Sequence, residues 1–147
     1  MKKLLNNKLF IIIAIIVLLL IIVGIAFHIV KKTSTEKAIL KIINNLYIED
    51  DESYTVTKLK EAKKINMKKS FDEYNLKEIY SENNIDEKTN VYLIDVLTEE
   101  DDRFVAIVSE DGKILDKTNP DTADEEYDNL VFTKDKIDVD KINKKIN

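Results

Sequence analysis

The chain has 147 residues, a formal net charge of −5, two glycines, one proline, one histidine and no cysteine. The missing cysteine excludes a disulfide scaffold, a thiolate metal site, a cysteine nucleophile and a lipidated cysteine anchor. Charge is split along the chain: residues 1–32 carry five lysines and no acid, whereas residues 33–147 carry 18 Lys/Arg against 28 Asp/Glu, a net −10. That balance repels phosphate backbones, so no nucleic-acid partner is expected. Ile, Lys and Asn supply 57 residues while arginine occurs once, a bias that reads as an AT-rich, most simply bacterial, genome.

A short basic tail, residues 1–8, precedes the strongest signal. Leu9 to Val30 reads LFIIIAIIVLLLIIVGIAFHIV, 22 residues whose one polar side chain is His28. At about 1.5 Å per residue this spans roughly 33 Å, the thickness of a bilayer's hydrocarbon core. It is apolar on every face, which suits lipid rather than a soluble core. A single-pass signal anchor at 9–30, with the bilayer as its partner, is the expectation. Gly24-x-Ala26 leaves a cleaved signal peptide as the alternative. Lysines flank both ends, so charge bias alone does not orient the helix. The acidic bulk behind it favours a cytoplasmic N-terminus and an extracytoplasmic C-terminal domain. Gly24 has no small residue four positions away and so makes no G-x-x-x-G dimer face. His28 reads as a headgroup contact.

Thr33-x-x-Glu36 has the form of a capping box, with Thr33 as N-cap of a helix over 34–47 whose apolar face is Ala38, Ile39, Ile42, Ile43 and Leu46. The bland reading is packing on the domain's own sheet; the sharper one is an interfacial or partner-binding helix. Residues 53–60 alternate as a strand, placing Tyr54 and Val56 opposite Thr55, Thr57 and Leu59. Glu61–Lys69 is lysine-rich and ambiguous between helix and strand, and the lysines of Lys60–Lys69 read as a solvated face or a contact for anionic headgroups. Ser70-x-x-Glu73 is a second capping box before a helix near 71–82, which carries Phe71, Tyr74, Ile79 and Tyr80 and is ended by Asn83, Asn84 and Asp86.

The clearest strands are 91–98 and 103–109, joined by the acidic turn Glu99–Asp102. Asp111-Gly112 then turns the chain into Ile114 and Leu115, because glycine accepts the positive φ the turn needs. Together these make a three-stranded meander, closed by Asn119-Pro120. The charged tail 121–147 holds one apolar run, Leu130-Val131-Phe132, readable as an edge strand, and a frayed helix from Val139 to Ile146.

Glu49–Glu52, Glu99–Asp102 and Asp121–Asp128 are the calcium candidates, since that ion takes six to eight oxygens. None has calcium-loop spacing, so acidic turns that keep hairpin ends solvated are expected. Paired carboxylates also leave glycoside chemistry open, although nothing marks an acid held in an apolar pocket. One histidine at the membrane leaves no soluble Ser-His-Asp triad, and two glycines leave no phosphate-cradling loop. No catalytic, cofactor-binding or metal-binding residue is assigned, and no cofactor is expected.

The run Asn90–Leu115, with Asp111, Gly112, Lys113, Ile114 and Leu115 at its close, resembles the closing hairpins of PepSY-like and related cystatin-like extracytoplasmic domains. The resemblance implies a helix-on-sheet fold and a non-enzymatic modulator of envelope proteins, and it carries over no functional residue. The expected architecture is α+β: one or two helices on an antiparallel sheet of three to five strands in residues 33–120, tethered by the helix at 9–30, with 121–147 as a partly ordered tail. The expected function is a membrane-tethered accessory or binding domain that meets an envelope protein or wall polymer at the bacterial cell surface. An envelope hydrolase using carboxylates and an immunity protein are the alternatives.

Overall fold

A computed structural model describes residues 2–48, 53–70 and 76–146. The chain divides into two compact units, Met1–Ser34 and Thr35–Asn147. Helix α1 runs Lys2–Asn44, and its share of the first unit includes Phe10–Val30, where every large apolar side chain is exposed. The expected break at Thr33 does not occur. No glycine or proline interrupts residues 25–44, and the Thr33 hydroxyl donates to the Ile29 carbonyl four residues back (3.0 Å) instead of capping a new helix. Glu36, assigned the other half of that box, is buried and faces Lys141. The helix stops where the Asn45 side-chain amide donates to the Lys41 carbonyl (2.9 Å).

The second unit is built on a four-stranded antiparallel sheet in the order β1-β2-β3-β4, with β1 Val56–Lys64, β2 Val91–Thr98, β3 Arg103–Ser109 and β4 Ile114–Thr118. The meander foreseen from sequence is β2–β4, and β1 adds the fourth strand. Both faces carry apolar packing, which is why β2 and β3 read as near-continuous apolar runs rather than as alternation. One face carries the last turns of α1, through Ile39, Ile42, Ile43 and Leu46, together with Ile142. The other carries Leu76, Tyr80, Ala123, Tyr127 and Leu130 against Val91, Val105 and Ile107. Each buried Ile or Leu contributes about 1.5–3 kcal/mol.

Strand β1 departs from alternation. Val56, Leu59 and Ala62 all point into the same core, three residues apart. The ladder pairs Val56 with Thr98 and Lys58 with Leu97, then Leu59 with Val96 and Glu61 with Asp95, so Thr57 and Lys60 are extra residues in two β-bulges. The expected opposition of Val56 and Leu59 is corrected accordingly. Between the bulges, the Leu59 N–H donates to Asn143 Oδ1 (2.8 Å) and the Asn143 amide donates to the Leu59 carbonyl (2.9 Å). One side-chain amide thus takes the place of a neighbouring strand and blunts the edge.

Among the described residues four short helices complete the unit: α2 Met67–Ser70, α3 Leu76–Glu82, α4 Ala123–Glu126 and α5 Val139–Asn143. Helix α3 ends at Asn84 (φ 54°), where the Ile85 N–H reaches the Tyr80 carbonyl (2.9 Å). The expected start of that helix, with Phe71, Glu73 and Tyr74, lies outside the described residues. Ser70 itself is buried and clamps the later chain: its Oγ accepts from the Val131 N–H (2.8 Å) and donates to the Val131 carbonyl (3.1 Å). Leu130–Phe132 is therefore an extension beyond β1, bridged through Ile65 and Phe132, and not a strand of the sheet. The segment expected as a partly ordered tail supplies Ala123, Tyr127, Leu130 and Ile142 to the two cores. Helix α5 is N-capped by Asp138, which accepts from the Lys141 N–H (3.1 Å).

The turn after β3 fastens the sheet to α1. Asp111 accepts hydrogen bonds from the hydroxyls of Ser109 and Tyr47. The Ser109 bond is the main reason its carboxyl titrates below the ordinary range. A depressed folded-state pKa gives stability that is full above the unfolded value of about 4 and is lost as pH falls through the folded one. Asp111→Asn is expected to lower stability at pH 7 by about 1 kcal/mol, discounted for exposure. The gap between the two proteins should narrow as pH falls from 7 to below about 4 in parallel thermal melts. A gap constant across that window would remove the charge from the explanation.

Candidate functional site

The second face of the sheet is not fully covered. After β4, Asn119 Oδ1 accepts from the Asp121 N–H (3.0 Å), forming the turn through Pro120 that lays α4 across the strands. Tyr127 then reaches back to Asp116 (3.3 Å). Between α4, the Leu130–Phe132 segment and β1–β3 lies an open groove of about 340 Å³. Leu93, Val105, Leu130 and Phe132 give it apolar surface, and Glu61, Lys63, Asp95, Arg103, Asp124 and Asp128 give it charge.

Its polar groups are arranged by the hairpin. Register sets Arg103 opposite Leu97 and Asp95 opposite Val105, so Asp95 and Arg103 are diagonal neighbours on one face. They form a bidentate pair, Nε to Oδ1 at 3.0 Å and Nη2 to Oδ2 at 2.7 Å. The Asp95 hydrogen bonds, with its charge, push the guanidinium pKa up. On β1, Lys63 pairs with Glu61 (2.8 Å) and lies 5.1 Å from the centre of the Phe132 ring. Asp124 and Asp128, four residues apart at the rim, are exposed.

The acidic candidates separate in space. Glu99–Asp102 caps the β2–β3 hairpin in full exposure, with Asp101 at φ 57°. Glu49–Glu52 lies outside the described residues. Of Asp121–Asp128, only Asp124 and Asp128 line the groove. Among the described residues no group of three or more His, Asp or Glu side chains is placed to hold a metal ion. The lysine-rich stretch does not form one face. Lys60, Lys63 and Lys64 lie on β1, Lys64 with its ammonium 6.0 Å from the Tyr92 ring centre, and Lys68 and Lys69 lie on α2.

Sequence reasoning missed Asp95 and Arg103. A signal was present, because the lone arginine in a lysine-rich chain opens a strand just after a four-residue turn, and the hairpin register then fixes its acidic neighbour. A smaller recess of about 180 Å³ lies beside Tyr54, Thr98 and Glu99. Nearby, the Lys117 ammonium sits over the edge-to-face pair Tyr54–Phe104. The groove thus combines apolar surface with two ion pairs and, at its rim, the exposed carboxylates of Asp124 and Asp128. Comparison with family models, with curated proteins and with solved structures finds no match to this chain.

Proposed function

We propose that the chain is a non-enzymatic accessory domain of the bacterial cell surface, tethered to the membrane by residues 9–30 and meeting an envelope protein on the outer side. The observation that carries this reading is the exposure of the apolar helix. Among the described residues, all seventeen exposed large apolar side chains lie between Phe10 and Val30, in a helix whose most apolar window is wholly unburied. Leaving them in water costs tens of kcal/mol, which a bilayer removes. Among the described residues from 35 onward, by contrast, the buried apolar side chains gather in two cores. Confinement to a surface raises the effective concentration of such a domain toward other membrane components, which suits a modulator of weak affinity. The resemblance of residues 90–115 to PepSY-like domains points to a non-enzymatic envelope modulator of the same kind.

The unaltered chain is expected to fractionate with membranes, to resist carbonate and to dissolve in detergent. Leu19→Lys with Leu20→Lys places two charges near the midplane at about 2.5–3.5 kcal/mol each and should release the protein. The cysteine-free sequence makes orientation directly readable. An impermeant maleimide should label Asn147→Cys in intact cells and spare Lys3→Cys. Carbonate-soluble protein, a mature N-terminus at Phe27 or the opposite labelling pattern would defeat the tether as described.

A further inference from the structure

We propose that the groove between α4 and strands β1–β3 takes a short cationic peptide segment, with lysine or arginine side chains at Asp124 and Asp128 and apolar side chains against Leu93, Val105 and Phe132. This deepens the accessory-domain reading and rests on it.

Size, charge and an internal precedent favour this occupant. At about 340 Å³ the groove is near the lower end of ligand sites, enough for a few side chains and not for a folded surface. Its six charged side chains do not cancel. Asp95 is matched by Arg103 and Glu61 by Lys63, which leaves Asp124 and Asp128 without an ion-pair partner among the described residues. An anionic ligand would have to prise Arg103 from a bidentate partner and face both free carboxylates. A cation meets two carboxylates ready to accept it, in a unit whose net −10 draws it in from a distance.

The precedent is Lys63. Its ammonium lies over the Phe132 ring at 5.1 Å while Glu61 holds it at 2.8 Å, so this wall already binds an alkylammonium by ring and carboxylate together. A peptide lysine at the rim would repeat the carboxylate half of that arrangement, at Asp124 and Asp128.

The test uses the full chain in phosphatidylcholine nanodiscs, whose zwitterionic lipid offers the probe no net charge. The probe is a dye-labelled, end-blocked heptapeptide of alternating lysine and leucine, followed by fluorescence anisotropy, with a glutamate–leucine heptapeptide as comparator. Saturable binding of the lysine peptide alone is expected, weakening as salt rises. Asp124→Asn with Asp128→Asn should weaken it about tenfold while leaving the thermal melt unchanged, since both side chains are exposed. Glu82→Gln with Glu87→Gln removes the same charge from exposed positions outside the groove and should change affinity less than twofold. Equal losses in the two double variants would reduce the effect to net charge and overturn the proposal. So would absence of saturable binding, or equal binding of the glutamate peptide. Because membrane extraction is scored separately, a chain that stays anchored yet binds no lysine peptide sinks the groove assignment and leaves the tether standing.

Discussion

Gly112→Ala is expected to destabilise the domain by about 3–5 kcal/mol. Two costs combine. Gly112 sits at φ +104°, which an L side chain adopts only under strain of about 1–3 kcal/mol. A Cβ built there would also lie 2.3 Å from the Asn45 carbonyl oxygen and 2.8 Å from its carbon. The obstruction is backbone, and that backbone is tied down: the Tyr47 N–H donates to the Gly112 carbonyl (3.1 Å) and the Ile114 N–H to the Tyr47 carbonyl (2.8 Å). Overpacking against groups that cannot yield adds about 1–3 kcal/mol. For a domain of this size the sum corresponds to a fall in Tm of more than about 10 °C. Near-ultraviolet tyrosine circular dichroism of the detergent-solubilised chain is the suitable readout, because the apolar helix keeps its far-ultraviolet signal after the domain melts. A shift under 3 °C would mean that the turn and the end of α1 move apart at little cost.

Gly112 also marks what the sequence made legible. Asp-Gly between two apolar runs locates a turn because the needed φ is a local property. The same locality explains why β2 and β3 emerge from sequence with the bounds they have in the fold, and why Asn83 and Asn84 are recognised as a helix stop. Contacts made far along the chain left no such mark. That Gly112 packs against Asn45 depends on where α1 ends. Leu59, between the bulges at Thr57 and Lys60, is bonded by Asn143 more than eighty residues later, and without that contact residues 53–60 read as ordinary alternation. Thr33 misled for a related reason. A threonine three residues before a glutamate signals a cap only where the preceding chain is not already helical, and here the apolar helix runs straight into it.

The groove follows the same division. Its floor was visible as β-forming residues, but its charged pairs arise from register, and its far wall comes from a segment that charge density made resemble a loose tail. Apart from the run Leu130–Phe132, residues 121–146 set single apolar side chains among acids and lysines, and no periodic stripe announces that Tyr127, Leu130 and Ile142 are buried. Burial of isolated side chains from an otherwise polar strap is a tertiary fact.

The strap's weight in the fold is what Ile142→Ala measures. Ile142 is 1 % exposed and belongs to the core formed by α1 and the sheet, so its truncation is expected to cost about 2–5 kcal/mol. Asn143→Ala removes both hydrogen bonds to Leu59 but leaves those backbone groups at an edge that water reaches, and a smaller loss of about 1–2 kcal/mol is expected. The two should not add. Once Ile142 no longer docks α5, Asn143 has already left the edge, so the double variant should fall short of the sum by about 0.5–2 kcal/mol. Lys144→Ala, exposed one position further on, should stay within about 0.5 kcal/mol of the parent. Denaturant titrations monitored by tyrosine signal give all four values. Strict additivity would mean that Asn143 holds β1 independently of the helix. A loss under 0.5 kcal/mol for Ile142→Ala would mean that the C-terminal strap rests on the core without supporting it.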